Sequence, residues 1–343
     1  MTYTTLDYTV RFLTPAFLGN AEQTAQWRTP PFKALLRQWW RVAYAQERQF
    51  NVDIAAMRRE EGALFGNAWL SHREAGRTVH DHSKSQIRLR LTTGEDQRSL
   101  AWSQGSQSGV SPLKTDISTG HAWFGLVKRG KGLSDRSGIQ AAGSEAVRHL
   151  RLAVPEQCRR DIERACNLIH HFGQLGSRSR GGWGSLSMTS ENAASSPRPD
   201  QLDYLNWRQC LQAEWPQAIA QSDDGRPWLW TSQRSFRDWP AAMAYVAAER
   251  RTVRTALKDL QFRDLRFALG FAQGDKRAAS PLRWRITEDP EGALRVRVFA
   301  MPHAQPALCG QPLSPTDLET AWAKVAEVLD GAQALARQQS PTP

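Results

Sequence analysis

The sequence has few of the features that mark secreted, zinc-binding or membrane proteins. Its 343 residues include only four cysteines, which lie far apart and form no C-x-x-C pair. This spacing argues against a zinc site or a disulfide framework and fits a reducing compartment. No apolar run approaches the ~18 residues that a bilayer span needs, and the N-terminus lacks a signal-peptide pattern. We expect a cytoplasmic protein with no membrane contact.

Signatures of catalysis are also missing. There is no G-x-S-x-G, no H-E-x-x-H and no paired-carboxylate spacing. The glycine-rich stretch Gly173–Gly184 matches neither a Walker A loop nor the dinucleotide fingerprint, because it leads from a predicted helix into a strand. His80 and His82 have no spaced partner cluster that would complete a metal site. We expect no cofactor and no metal, and no enzymatic activity.

Acidic residues are in deficit. The chain has 45 Lys and Arg against 34 Asp and Glu, a formal net charge of +11. Such a charge attracts polyanions and makes nucleic acid the leading partner, although an inert basic surface remains the alternative. The 14 tryptophans are consistent with core packing, with protein interfaces or with stacking on unpaired bases. Neither feature decides the function alone.

The first 190 residues predict one α+β module. Residues 93–146 hold 9 of the 24 glycines and predict a loop-rich insertion. The order of elements is close to the split βαβ arrangement of a ferredoxin-like fold. Periodicity predicts a helix from Pro31, a helix over Pro155–Phe172, and strands at Leu6–Phe12, Ser85–Leu91, Val147–Val154 and Ser185–Thr189.

The second half predicts a degenerate copy of the same architecture. Residues 191–202 are polar, contain proline and predict a linker, so the second module covers 203–343. The similarity lies in the order of elements only, because no sequence repeat is visible. The predicted elements are a strand at Trp228–Thr231, a helix at Pro240–Leu260, a hairpin of Leu282–Ile286 with Leu294–Phe299, and a helix at Pro315–Arg337.

The helix that begins near Pro31 has two distinct faces. Its apolar face includes Trp40, which we expect in the core. Another arc carries Lys33, Arg37 and Arg41, which repel one another unless something negative lies along them. We predict phosphate contacts for this row, with a solvated basic face as the alternative. Removal of Arg37 and Arg41 should then weaken RNA binding with little loss of stability.

The glycine-rich stretch is a second candidate. Glycine permits close backbone approach and leaves N–H groups available for an anion, and here it stands beside two arginines. We predict that Arg178, Arg180, Gly181 and Gly182 contact an RNA backbone. The alternative is a glycine-rich turn with incidental arginines. A third basic group, Lys128, Arg129 and Lys131, lies in the insertion and is expected to reach RNA or a neighbouring subunit.

Several segments together form a recognisable pattern, namely Thr14–Asn20, Arg28–Arg41, Ala63–Gly66, Trp123–Leu126, Gly138–Gly143, Gly176–Gly184 and Lys276–Leu282. The pairing of Leu-Arg-x-Trp-Trp-Arg with a later glycine loop is specific, whereas either motif alone is weak. These segments resemble the CRISPR-associated RAMP superfamily. More narrowly, they are similar to the family of first subunits of the Cmr (type III-B) effector complex.

The resemblance implies two ferredoxin-like (RRM-like, RAMP) modules in tandem. It also implies binding to CRISPR RNA and target RNA, assembly with other subunits of a type III effector, and a place toward the 3′ end of the guide in antiviral defence. It assigns RNA contact to the basic stretch that contains Lys276 and Arg277. This subunit is expected to bind RNA rather than to cut it.

Two other functions stay open at this point. A metal-independent endoribonuclease of the same superfamily needs a general acid or base, for which His121 and His170 are the available candidates. Alternatively, the chain is a scaffold whose tryptophans anchor protein partners and whose charge is incidental.

Overall fold

The structure, a computed structural model, covers most of both halves of the chain. Much of the insertion at 93–146 and most of the linker at 191–202 lie outside the described residues. The described residues are 2–22, 25–92, 122, 126–128, 132–133, 138–139, 141, 147–190, 199, 202–258, 260, 264–273, 276–304 and 313–339.

The first half forms an antiparallel sheet covered on one face by helices. Buried and exposed side chains alternate in the long strands, as the sequence predicts. The elements in chain order are β1 (Tyr3–Phe12), α1 (Thr29–Glu47), α2 (Ile54–Phe65), β2 (Asn67–Glu74), β3 (Arg77–Ser83), β4 (Arg88–Leu91), β5 (Val127–Lys128), β6 (Gly132–Leu133), β7 (Val147–Pro155), α3 (Arg159–Phe172) and β8 (Leu186–Thr189).

The order of strands in this sheet is β4-β7-β1-β8, with every neighbouring pair antiparallel. This is the βαββαβ arrangement of a ferredoxin-like fold, completed by α1 and α3. The core contains the inward residues of the sheet together with Trp39 of α1 and Ile162 of α3. The helix α2 and the hairpin β2–β3 are additions that the sequence did not predict.

The second half contains a second ferredoxin-like module. Its four-stranded sheet has the order β14-β15-β11-β16, which repeats the order of the first sheet element for element. The elements are β9 (Leu205–Asn206), α4 (Trp207–Cys210), β10 (Ala220–Gln221), β11 (Leu229–Ser232), α5 (Trp239–Ala256), β12 (Phe271–Gln273), β13 (Lys276–Ala278), β14 (Leu282–Glu288), β15 (Leu294–Ala300), α6 (Pro315–Asp330) and β16 (Leu335–Arg337).

The tandem α+β architecture is therefore confirmed, with one correction at the C-terminus. The second copy is reduced in that β11 has 4 residues, whereas β1 has 10. The helix predicted over Pro315–Arg337 ends at Asp330, and Leu335–Arg337 return to the sheet as a strand beside β11. None of the described helices has the length and apolar character required to cross a bilayer.

The two modules meet at the edge strand β14. Trp284 of this strand donates its backbone N–H to the carbonyl of Arg180 at 3.1 Å, and its own carbonyl accepts from Gln174 Nε2 at 2.6 Å. Both partners belong to the segment between α3 and β8. The Ile286 N–H donates to Ser185 Oγ at 3.0 Å. The glycine-rich stretch of the first module thus hydrogen-bonds to the sheet of the second.

A buried arginine strengthens this junction. Arg285 is 2% exposed and inserts its guanidinium at the C-terminal end of α3. It donates to the carbonyl of His170 at 2.6 Å and to the carbonyl of Leu186. These are groups that a helix end and a strand end leave without partners, so the arginine satisfies carbonyls of the first module from a strand of the second.

Candidate nucleic-acid interface

The basic row on α1 lines a groove of about 720 Å³ between α1, α2 and the start of β2. Lys33, Arg37 and Arg41 are half-buried there, and Arg58 of α2 joins them. Burial lowers the pKa of Lys33, and the nearby positive charge of Arg37 lowers it further. Beside this row Trp40 is buried against Tyr44 and Phe65, which confirms its predicted place in the core.

The negative charge beside this row comes from the protein itself. Glu61 of α2 is 3% exposed, and it accepts from Arg37 Nε at 2.9 Å and from Arg41 at 2.9–3.0 Å. A buried carboxylate needs such partners. We expected that removing Arg37 and Arg41 would cause little loss of stability. The structure contradicts this expectation, because both side chains neutralise the buried Glu61.

Replacing both Arg37 and Arg41 by methionine is expected to lower the free energy of unfolding by about 2 kcal/mol, since it leaves a buried carboxylate unsatisfied. Adding Glu61→Gln should restore part of the loss. Urea unfolding measures both effects. Arg58→Met is the matched control, since Arg58 is exposed in the same groove and should change stability by less than about 0.5 kcal/mol. Equal effects of the double and control variants would show that Glu61 does not need the pair.

The glycine-rich stretch is a compact turn with its backbone largely occupied. Positive φ angles occur at Gly176, Arg178, Gly182 and Gly184. The N–H groups of Gly181 and Gly182 donate to the carbonyls of Arg178 and Ser179 at 2.9 and 3.1 Å. The expectation that these two N–H groups are available to phosphate is therefore wrong.

The two central glycines instead make room for α5. A Cβ on Gly181 would lie 2.5 Å from Nη1 of Arg250, and one on Gly182 would lie 2.7 Å from Sδ of Met243. Both neighbours are α5 side chains. The lack of side chains thus lets the guanidinium of Arg250 lie directly against the turn, where it faces the same space as Arg178 and Arg180.

These side chains surround a cavity of about 630 Å³ that we call the arginine pocket. The glycine-rich turn, α5 and the segments at 264–271 and 278–280 form it, together with Ala122. Five arginines and one aspartate are among its described lining residues, namely Arg178, Arg180, Arg250, Arg254, Arg266 and Asp264. Asp264 is already engaged, because it pairs with Arg266.

Arg250 and Arg254 are the central charges of the pocket. Neither forms an ion pair or hydrogen bond within the part of the chain that the structure describes. Burial lowers the pKa of Arg250 to about 10, and repulsion from Arg254 and Arg178 adds to the decrease. Burial and the charge of Arg266 likewise lower the pKa of Arg254. The charge of Asp264 offsets part of this decrease for Arg254, but Asp264 is paired with Arg266, so the pocket keeps an excess of positive charge.

Further positive charge lies behind the pocket wall. The side chain of Arg180 donates to the backbone carbonyl of Ser280 at 3.0 Å. This partner is uncharged, so the hydrogen bond does not neutralise the positive charge of Arg180. Arg283 is buried with its guanidinium over the rings of Trp39 and Phe299. Burial lowers the pKa of Arg283, and repulsion from Arg180 contributes. Arg178 is exposed and adopts φ +59°, a conformation that costs a non-glycine residue roughly 1–2 kcal/mol.

The other predicted contacts are only partly described. The backbone of Lys128 lies in β5, but its side chain and the whole of Arg129 and Lys131 lie outside the described residues. Lys276 and Arg277 belong to β13, where Arg277 is exposed and the side chain of Lys276 is outside the description. The residues that follow them, Ala278–Ser280, line the arginine pocket.

Sequence reasoning missed Arg250, Arg254 and Arg266. Arg250 and Arg254 stand one turn apart on the predicted helix Pro240–Leu260, and this spacing is visible in the sequence. Positions three and four away from them hold apolar or basic residues and no acid. Arginines placed this way have no helical partner. Arg266 gave no such signal, because it lies in a short 3-10 turn.

The endoribonuclease and scaffold hypotheses depend on histidine and tryptophan side chains, of which the structure describes a part. His170 is half-buried beside Arg285, where burial lowers its pKa to about 4, and the positive charge of Arg285 contributes. His121 lies outside the described residues. No described tryptophan side chain is exposed, which leaves the scaffold hypothesis without surface anchors there. The fully buried ones are Trp39, Trp40, Trp183, Trp207, Trp228, Trp230, Trp284 and Trp322.

Comparison with protein families identifies the lineage of the chain. The sequence profile described as the RAMP superfamily matches residues 9–187, which is more than half of its length. The chain belongs to the RAMP superfamily. The match covers the first module of this RAMP protein through the glycine-rich turn. It confirms the resemblance of the motifs to the RAMP superfamily. Comparison with curated protein sequences gives no match.

Solved structures share the fold of this RAMP protein over its full length. The apo crystal structure of Cmr1 from Pyrococcus furiosus matches with a TM-score of 0.53 at 15% identity, covering 99% of this chain and 100% of that one. A chain in the cryo-EM structure of type III-B Cmr-beta bound to cognate target RNA matches with a TM-score of 0.51 at 10% identity, covering 94% and 99%. At these identities the likeness establishes the tandem fold.

Proposed function

We propose that this chain is a non-catalytic, RNA-binding subunit of a type III CRISPR effector complex in the cytoplasm. In that role it contacts CRISPR RNA and target RNA toward the 3′ end of the guide and assembles with other subunits. Membership in the RAMP superfamily supports this, as does the likeness of its fold to Cmr1 and to a chain of an RNA-bound Cmr complex.

The observation that carries the proposal is the arginine pocket. Its described lining residues leave a formal excess of four positive charges. Like charges held together destabilise a fold unless an anion joins them. Arg250 and Arg254 therefore lower stability in the free protein and gain their partner when a polyanion binds. Phosphates of RNA supply that partner, because arginine forks match phosphate oxygens.

RNA binding by the purified full-length chain tests the proposal. Affinity for single-stranded RNA should fall steeply with salt and depend little on base sequence. The double variant Arg250→Gln, Arg254→Gln should lose about tenfold or more in affinity and flatten the salt dependence by roughly two phosphate contacts. Filter binding at two salt concentrations measures both quantities.

Arg251→Gln provides the matched control. Arg251 carries the same charge on the same helix but is exposed, whereas Arg250 lines the pocket. The control should bind RNA nearly as well as the unaltered chain. If both variants bound RNA equally, the pocket would not be the interface. Discrete cleavage of repeat RNA in EDTA would instead support the endoribonuclease hypothesis, and salt-independent or absent RNA binding would support the scaffold hypothesis.

A further inference from the structure

The arginine pocket has an aromatic side as well as a charged one. Phe267 and Phe271 line it with half-buried rings whose centroids lie 5.8 Å apart. A volume of about 630 Å³ falls in the range of pockets that enclose one small organic ligand. Guanidinium groups and aromatic rings within one lining match the two halves of a nucleotide, the phosphate and the base.

The density of positive charge bears on which phosphate binds. A phosphodiester within an RNA strand carries one negative charge, whereas a terminal phosphate monoester carries nearly two at neutral pH and presents three acceptor oxygens. Arg250 and Arg254 stand one turn apart on α5, and the described carboxylate that acts on Arg254, Asp264, forms its ion pair with Arg266. A terminal monoester offers two guanidinium forks more charge and one more free oxygen than a diester does, so it matches the pair better.

We propose that the arginine pocket binds the phosphorylated end of an RNA strand, with Arg250 and Arg254 on the terminal phosphate and the last base against Phe267 and Phe271. This inference rests on the proposed RNA-binding function and narrows it from backbone contact to recognition of an end. Gly181 contributes by leaving room for the guanidinium of Arg250 against the turn.

Four single-stranded RNAs of one sequence test the inference. They differ only in carrying a phosphate or a hydroxyl at the 5′ end and at the 3′ end. Fluorescence anisotropy with the full-length chain should show that phosphate at one of the two ends tightens binding about tenfold over the RNA with two hydroxyl ends. Exchanging the phosphate between the ends then identifies which end the pocket accepts.

The variants connect this preference to the pocket. In Arg250→Gln, Arg254→Gln the preference for a phosphorylated end should disappear, whereas Arg251→Gln should retain it. Phe271→Ala should weaken the preferred RNA by about tenfold through lost base stacking. The thermal midpoint of the double arginine variant should be unchanged or higher, because a repulsion is removed. A lowered midpoint together with lost RNA binding would assign these arginines to folding and overturn the inference.

The outcomes for the unaltered chain separate the two proposals. Equal affinity for all four RNAs, still dependent on Arg250 and Arg254, would overturn end recognition and leave the RNA-binding function intact. Absence of binding to any of the four would overturn both. A phosphate preference that survives the double arginine variant would place the end at another site.

Discussion

The Gly184→Ala variant should lose more than about 4 kcal/mol of folding free energy, or fail to fold. Gly184 adopts φ +61°, and a Cβ there would lie 1.8 Å from the carbonyl oxygen of Leu175 and 2.9 Å from its carbon. These are backbone atoms that cannot rotate away. The backbone of Leu175 is also held in place, because its N–H donates to the carbonyl of Gly184 at 2.9 Å. Urea unfolding of the purified variant measures the loss.

Gly292→Ala is the matched control for this prediction. Gly292 also has a positive φ, +84°, but a Cβ there meets nothing within 4 Å. It should lose only the roughly 1–2 kcal/mol that the left-handed backbone conformation costs alanine. The difference between the two variants isolates the contact with Leu175. A Gly184→Ala protein as stable as Gly292→Ala would mean that the turn can open without loss.

Replacing Arg285 by methionine is expected to lower the free energy of unfolding by about 2–3 kcal/mol, because it removes the donor of buried backbone carbonyls. The methionine fills similar space but leaves the carbonyls of His170 and Leu186 without their donor. Chemical denaturation gives the magnitude. The exposed Arg90 of β4, changed to methionine, should shift stability by less than about 0.5 kcal/mol.

The same substitution has a second readout that a general packing defect would not produce. Repulsion from the guanidinium of Arg285 is one cause of the low pKa of His170. Arg285→Met should therefore raise the pKa of His170 toward the ordinary histidine value, which an NMR titration detects. An unchanged pKa of His170, or a stability loss no greater than that of Arg90→Met, would contradict the role given to Arg285.

The sequence predicted the parts of the fold whose periodicity is undisturbed. In β1 the alternation continues over the whole strand, and in α1 the apolar face repeats without a break. The helix α2 was missed because Glu61, a charged residue, occupies a buried position where the pattern expects an apolar one. The strand β16 was missed because Ala332, Ala334 and Leu335 continue the small and apolar residues of α6 beyond the turn at Gly331.

The candidate site was predicted only in part, for a different reason. Arg178 and Arg180 stood out because they interrupt a run of glycines. Arg250 and Arg266 belong to the other module, and no local spacing relates them to the glycine-rich turn. Only the packing of α5 against that turn brings them together. The role of Gly181 was likewise hidden, because the side chain that needs its space lies about 70 residues away.

The hydrogen bonds between the glycine-rich turn and β14 also bear on solubility. β14 is the outermost strand of the second sheet, and an uncovered edge strand is a template for pairing with other chains. Here Arg180 and Gln174 occupy the N–H and carbonyl of Trp284 from outside the sheet. The first module thus acts as a cap that protects the second from strand-to-strand aggregation. A free second module would expose this edge.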